Sequence, residues 1–286
     1  MKYVVHGATG AQGGPLYDLL TKAGHTVVAI VRDPSAHPGL NAAKADIGSS
    51  ELLAQAYQGA DGVFIHLPIA SEADRVKFCD SIALAIAKAL PKRVVISTSG
   101  FVVDDPNSSL TVPPESAIRS LISRIEQAGV SVAVIAPRLY LENLLMPLVS
   151  QPMKGEGVLR YPLPADYQVS WCSHLDIADV AVRLFKDTAV TGVVGVGAMP
   201  GLNGNDLATS FAEYLGQPVR YEGVEPKQFG ALLEPFIGIH GAAEVVGVYE
   251  AQARSVHNTI LNETSAQTLL GLTPRSVKQW LQDLNV

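Results

Sequence analysis

The sequence predicts an α/β protein built on a doubly wound parallel sheet, with a smaller C-terminal lobe. Three observations carry that reading. Short apolar runs alternate with segments of helical period, and a glycine cluster joins the first run to the first helix. The alternation loosens after Pro137, where prolines at 147, 152, 162 and 164 and glycines at 155 and 157 interrupt it.

Tyr3 to His6 reads as the first strand, and Pro15 to Ala23 carries Leu16, Leu19 and Leu20 at helical spacing. Gly24 then suits a helix C-terminal turn. Thr26 to Val31, TVVAIV, is apolar on both faces, as a parallel strand covered by helices on each side must be. Helices near Ser50 to Tyr57, Glu72 to Ala89 and Glu115 to Gln127 alternate with strands Gly62 to Leu67, Arg93 to Ser97 and Ser131 to Ile135. Connections of that length are right-handed crossovers between parallel strands, which is the Rossmann arrangement. Ser99 to Pro114, with three prolines and the run DDPNSS, is a long loop beginning where a strand ends, and so a candidate site wall.

Residues 1–150 are expected to form the nucleotide-binding domain and 151–286 the lobe that holds substrate. Trp171 to Lys186, a strand entering an amphipathic helix, and the valine-rich Gly192 to Gly197 place segments near 171–200 back on the main sheet. Thr273 reads as the N-cap, and Pro274 as the first residue, of a C-terminal docking helix containing SVKQWLQDL.

Composition narrows the function. Lys and Arg total 21 against 27 Asp and Glu, a net charge of −6 that disfavours nucleic acid, whose phosphates need a cationic surplus. With 48% hydrophobic and 17% charged residues the chain can bury a sizeable core. Cys79 and Cys172 form no CxxC pair, so neither a disulfide framework nor a zinc knuckle is expected. MKYVVHGATG reaches a glycine turn before any signal-peptide core, and no window holds the ~20 uninterrupted apolar residues of a membrane span. A cytoplasmic protein without a membrane partner is the expectation. A homodimer is an open option that no sequence feature specifies.

The sharpest motif is GATGAQGG, Gly7 to Gly14, placed between the first strand and helix. Its spacing is GxxGxxG rather than GxGxxG, but the physical demands are similar: a tight turn, close backbone approach to a diphosphate, and free N–H groups at a helix N-terminus. Gly7 should make the turn, Gly10 admit the diphosphate and Gly13 let the helix pack on the sheet. Thr9, Ala11 and Gln12 complete the cofactor-binding turn. Strand two ends in VRDP, where Arg32 favours the 2′-phosphate of NADP, with NAD less favoured. Asp33 beside it is the alternative, an acid for an unphosphorylated ribose.

With these in place, GADGVFIHLP (59–68), RVVISTSG (93–100), PRLYLENLL (137–145) and HLDIADVA (174–181) give a chain that resembles an NmrA-like member of the atypical short-chain dehydrogenase/reductase superfamily. Its nearest-looking members include NAD(P)H-dependent quinone oxidoreductases. The resemblance implies that Asp46 and Ile47 lie by the adenine, and that His66, Leu67 and Pro68 line the ribose and nicotinamide path. It puts Ser97 at the end of the next strand, and Tyr140 and Asn143 beside the nicotinamide. Phe236, with Leu144 and Met146, is a further candidate substrate wall, and each of these side chains reads equally well as packing. Ser97 reads more simply as a strand-end hydroxyl bonded to local backbone. His6 reads as a core histidine, and His174 with Asp176 as a strand-to-helix junction capped by Asp176 rather than a metal site.

The superfamily's usual Tyr-x-x-x-Lys pair, in which the cation lowers the phenol's pKa, is absent. ESAIRSLISRIEQAG carries Arg119 and Arg124 instead, and arginine is no acid near neutrality. No GxSxG elbow or HExxH occurs, and an epimerase of nucleotide sugars is disfavoured by the missing pair. Two expectations remain: an NADPH-dependent oxidoreductase that passes hydride to a quinone or similar small electrophile, or an NAD(P)-binding redox sensor that regulates a protein partner without turnover.

Overall fold

The computed structural model describes all residues, 1–286. The first half of the chain repeats strand then helix: β1 (Lys2–His6), α1 (Gly13–Lys22), β2 (Thr26–Val31), β3 (Ala42–Lys44), α2 (Ser50–Tyr57), β4 (Gly62–His66), α3 (Glu72–Ala89), β5 (Arg93–Ser97), α4 (Ala117–Gln127) and β6 (Ser131–Pro137). There follow β7 (Leu139–Tyr140), α5 (Pro147–Glu156), β8 (Val158–Tyr161), β9 (Trp171–Cys172), α6 (His174–Lys186), β10 (Gly192–Val196), α7 (Gly204–Leu215), β11 (Arg220–Gly223), α8 (Pro226–Arg254), α9 (Ala266–Leu270) and α10 (Val277–Leu284). β1 to β6 and β10 form one seven-stranded parallel sheet in the order β10-β6-β5-β4-β1-β2-β3. The order reverses at β1, so a crevice opens at the carboxyl ends of β1 and β4.

Side chains along each strand alternate between two cores. Val4, Val63, Ile65, Val94, Ile96 and Val134 pack with α2, α3 and α4, whereas Tyr3, Val5, Phe64, Val95 and Ile135 pack with α1 and α6. Fully burying a side chain of this size contributes about 1.5–3 kcal/mol, which is why strands apolar on both faces settle in the middle of the sandwich. A third core, centred on Tyr161, Trp171, Phe211, Phe229 and Trp280, holds the smaller C-terminal region, where β8 pairs with β11 and β7 with β9.

Two helix starts differ from the sequence reading. α10 is capped by Ser276, not Thr273, because Ser276 and Gln279 form a reciprocal capping box; Pro274 therefore lies outside the helix. Ser173, not Asp176, caps α6, and Asp176 closes the box by accepting from the Ser173 amide. Asp176 Oδ1 also takes two bonds from Arg275, which fastens the start of α10 to α6. α8 is long and apolar enough to qualify as a membrane span by length and composition, its most apolar 18-residue window having a mean hydropathy of 1.4. Gly238 (φ 75°, ψ 166°) interrupts it, however, leaving two stretches each shorter than the ~20 residues a bilayer requires.

The loop 98–116 is fixed from beneath. Arg138, fully buried after β6, pairs with the equally buried Asp104 at 2.9 Å and donates to the carbonyls of Thr259 and Ala136. Removing one partner strands a charge in the interior, so Arg138→Met is expected to cost roughly 3–5 kcal/mol in urea unfolding. A loss below about 1 kcal/mol would mean that the loop is anchored elsewhere.

His6 is buried at the end of β1, its Nε2 2.6 Å from the Tyr57 hydroxyl. Burial, then the charge of His66, hold its imidazole neutral down to a pKa of about 3. The unfolded state takes up this proton near pH 6.5 and the folded state does not, so the stability it supports is intact above 6.5 and lost as pH falls toward 3. One such proton gives a slope of about 1.4 kcal/mol per pH unit. Urea midpoints from pH 7 to 4 should fall less steeply in His6→Asn than in the wild type; parallel curves would reject the assignment.

Candidate active site

The turn after β1 brings main chain closer than any Cβ allows. Gly7 has φ +62°, and a methyl there would lie 2.0 Å from His66 Nε2; one on Gly13 would lie 2.4 Å from the carbonyl oxygens of His6 and Gly7. Gly7 therefore serves the turn and also the imidazole seated against it, while Gly13 sets how deeply α1 sinks onto the sheet. Over Gly10 the ground is open, a Cβ meeting only Gly7 O at 3.4 Å. Gly10 N donates to Gly7 O and Gly14 N to Gly10 O, but the amides of Thr9, Ala11 and Gln12 reach no acceptor in the protein. Thr9, Gly10 and Ala11 are exposed, so unpaired donors at the N-terminus of α1 face outward, as anion binding requires.

Gln12 faces inward and ties the turn to β5. Its Oε1 accepts from Ser97 Oγ at 2.7 Å and its Nε2 donates to Ser99 Oγ at 3.1 Å. Ser97 also accepts from the Ser99 amide, the local bond that its strand-end position suggests, and Ser99 is held at φ +54°. Leu67, Pro68, Ser97, Thr98 and Phe101 line a hollow of about 120 Å³ at the ends of β4 and β5.

At the adenosine end, Asp33 caps a short turn by accepting from Ser35 N and Ser35 Oγ, bonds that lower its pKa. Arg32 is exposed and makes no hydrogen bond or ion pair within the chain. The β2–β3 register sets Lys44 opposite Val31, giving this corner a second cation. Asp46 is exposed, with Oδ1 on the Gly48 amide, and Ile47 packs on the core of α2 to α4.

The third wall comes from the segment after β6. Tyr140 stacks on His174, ring centres 4.3 Å apart, and burial raises the pKa of its phenol. Its hydroxyl, like His66 Nε2 and Thr98 Oγ1, is enclosed without a hydrogen-bond partner. Buried polar atoms left this way are uncommon. Glu142 is fixed by three donors into Oε1: Ser173 Oγ at 2.7 Å, His174 N at 3.0 Å and Trp280 Nε1 at 3.1 Å. Its other oxygen, also without a hydrogen bond, lies 3.5 Å from His174 Nδ1. Burial lowers the pKa of His174, with Glu142 opposing, and His66 is lowered by burial and by the charge of His174.

The structure thus gathers Gly7 to Gly13, His66, Leu67, Pro68, Ser97 and Tyr140 at one carboxyl edge, with Arg32 and Asp46 at its far end. Asn143 turns to the C-terminal core, donating to Tyr161 Oη at 3.4 Å, where Leu144 is fully buried and Met146 packs alongside. Phe236 is 73% exposed on α8 beside Gly238 and belongs to none of the cores. His174, read from the sequence as part of a strand-to-helix junction, is joined by Glu142, which the sequence reading missed because 32 residues separate the two and no recognised spacing links them.

Among solved structures, triphenylmethane reductase from Citrobacter sp. aligns over 100% of both chains with a TM-score of 0.80 at 17% identity, and has also been crystallised with NADP(H). An NADPH-dependent quinone oxidoreductase from Escherichia coli, in its NADPH complex, covers 100% of both chains with a TM-score of 0.73 at 20% identity. A nucleoside-diphosphate-sugar epimerase from Staphylococcus aureus covers 99% of this chain and 100% of its own with a TM-score of 0.79 at 19% identity. At these identities the likeness establishes the fold alone. No curated protein sequence matches the chain. The NmrA-like family profile does, over residues 2–281, and so this chain, with its GxxGxxG turn at the head of a seven-stranded parallel sheet, belongs to the NmrA-like family.

Proposed function

We propose that this chain is an NADPH-dependent oxidoreductase that reduces a quinone or a similar small electrophile. The observation that carries the reading is the carboxyl edge itself, where unpaired turn amides, an unpaired arginine and enclosed unpaired polar atoms follow one another along the switch point. Thr9, Ala11 and Gln12 would hold the diphosphate through their amides over the open ground at Gly10. Arg32, with Lys44, would pair the 2′-phosphate, and the engagement of Asp33 with Ser35 argues against its serving a bare ribose. Asp46 and Ile47 would border the adenine; His66, Leu67, Pro68 and Ser97 would line the path to the nicotinamide, and Tyr140 would border the acceptor.

When bound, NADPH supplies a hydride from its nicotinamide C4. A quinone is already an electron sink, so the protein's part is to position the acceptor and exclude water, which fits a site without the Tyr-x-x-x-Lys pair. The reductase and the quinone oxidoreductase of the same fold, both crystallised with the phosphorylated nucleotide, support this reading. A redox sensor would bind the same nucleotide without turnover.

Calorimetry with NADPH and NADH, followed by NADPH oxidation against a panel of quinones, separates these readings: binding with turnover is expected, and binding without it selects the sensor. Arg32→Ala should weaken NADPH by roughly 10- to 150-fold, one hydrogen bond to a charged group, and leave NADH unchanged. An unaltered NADPH to NADH ratio would remove Arg32 from the 2′-phosphate site.

A further inference from the structure

We infer that His174 donates the proton that completes reduction of the acceptor, with Glu142 as the carboxylate that positions its ring; this rests on the oxidoreductase reading above. Glu142 is immobilised by the three bonds into Oε1, which leaves Oε2 facing His174 Nδ1 at 3.5 Å and no other partner. An Nδ1–H directed at this carboxylate fixes the orientation of the ring and stabilises its charged form. Such contacts are commonly long before substrate is bound and tighten in the complex. The opposite nitrogen, Nε2, makes no hydrogen bond and, unlike His66 Nε2, is not sealed from solvent; the side chain keeps 13% exposure. The ring lies on Tyr140, with His66 near enough to disfavour a second positive charge. Asp176, on the same helix, is turned away to Ser173 N and Arg275.

The step balances. Hydride brings two electrons to the acceptor and leaves an anionic oxygen on it; the Nε2–H bond breaks, an O–H bond forms on that oxygen, and the neutral imidazole regains a proton from water. One NADPH, one proton and one quinone become NADP⁺ and a hydroquinone. The imidazole would thus supply the acid that a Tyr-x-x-x-Lys pair provides elsewhere in the superfamily. Because His174 has a lowered pKa, its acidic form is scarce at neutrality, and the rate should fall as pH rises through a midpoint below the ordinary 6.5.

Three variants, His174→Gln, His174→Asn and Glu142→Gln, test this in the full chain. With a quinone, either His174 variant should lower kcat about 10- to 100-fold and abolish that pH limb, with NADPH affinity by calorimetry unchanged. Glu142→Gln retains the Oε1 acceptor and should shift the limb to lower pH. In the free protein, the NMR titration of the His174 C2 proton should shift the same way, a change that lost packing alone would not produce. A His174 variant that keeps wild-type kcat and the same limb, or a His174 titration that Glu142→Gln leaves in place, overturns the inference while the oxidoreductase reading stands. Absence of NADPH binding or of turnover in the wild type overturns both.

Discussion

The carboxyl edge of this sheet depends on how closely one turn of main chain approaches its neighbours. With oxygens only 2.4 Å from where a Gly13 Cβ would stand, α1 begins against the end of β1 at a depth no other residue permits. That depth lets Gln12 reach Ser97 and Ser99, and it leaves the amides of Thr9, Ala11 and Gln12 without partners, the first two on exposed residues. The same steric condition at Gly7 admits the imidazole of His66 from β4. Turn, β4 and β5 are therefore one interlocked surface, and a change in any of them would alter the direction in which the free donors point.

Most of the main sheet was legible because its strands are apolar on both faces and its helices carry one apolar stripe, two patterns that have different periods. β3 was not, since Ala42–Lys44 is three residues long and only half buried. Nor were the pairings β7–β9 and β8–β11, which join segments of two to four residues distant in the chain and carry no local signal. The caps of α6 and α10 were in plain sight as Ser173-x-x-Asp176 and Ser276-x-x-Gln279; the pull of Pro274 as a helix opener obscured the second. α8 is apolar around most of its circumference, so no stripe betrays the break at Gly238, and Phe236 stands exposed beside it.

The candidate site divides along the same line. Backbone chemistry, the glycine turn and its donors, is encoded locally and could be read. Side-chain chemistry assembled from β4, the segment after β6 and the start of α6 is not, because the partners meet only once the sheet has closed. Glu142 shows the difference: its carboxylate gathers Ser173, the His174 amide and Trp280 from two remote segments, and only that convergence leaves one oxygen committed to His174.

That convergence also bears on how the proposed reduction would proceed in a chain without the Tyr-x-x-x-Lys pair. A phenol held in an enclosed site, as Tyr140 is, has its pKa raised by burial and becomes a poorer acid unless a cation stands beside it. No lysine is there to do so. An imidazole suffers the opposite shift on burial, toward the neutral form, and a neighbouring carboxylate restores part of what burial takes away. In the proposed reaction a histidine and glutamate pair would therefore serve an enclosed site better than an unassisted phenol, and Tyr140, stacked on His174, would have a positional rather than an acidic role. For an acceptor that takes hydride readily, the proposed proton delivery would have only to follow a step that is already favourable, so an imidazole of lowered pKa would serve.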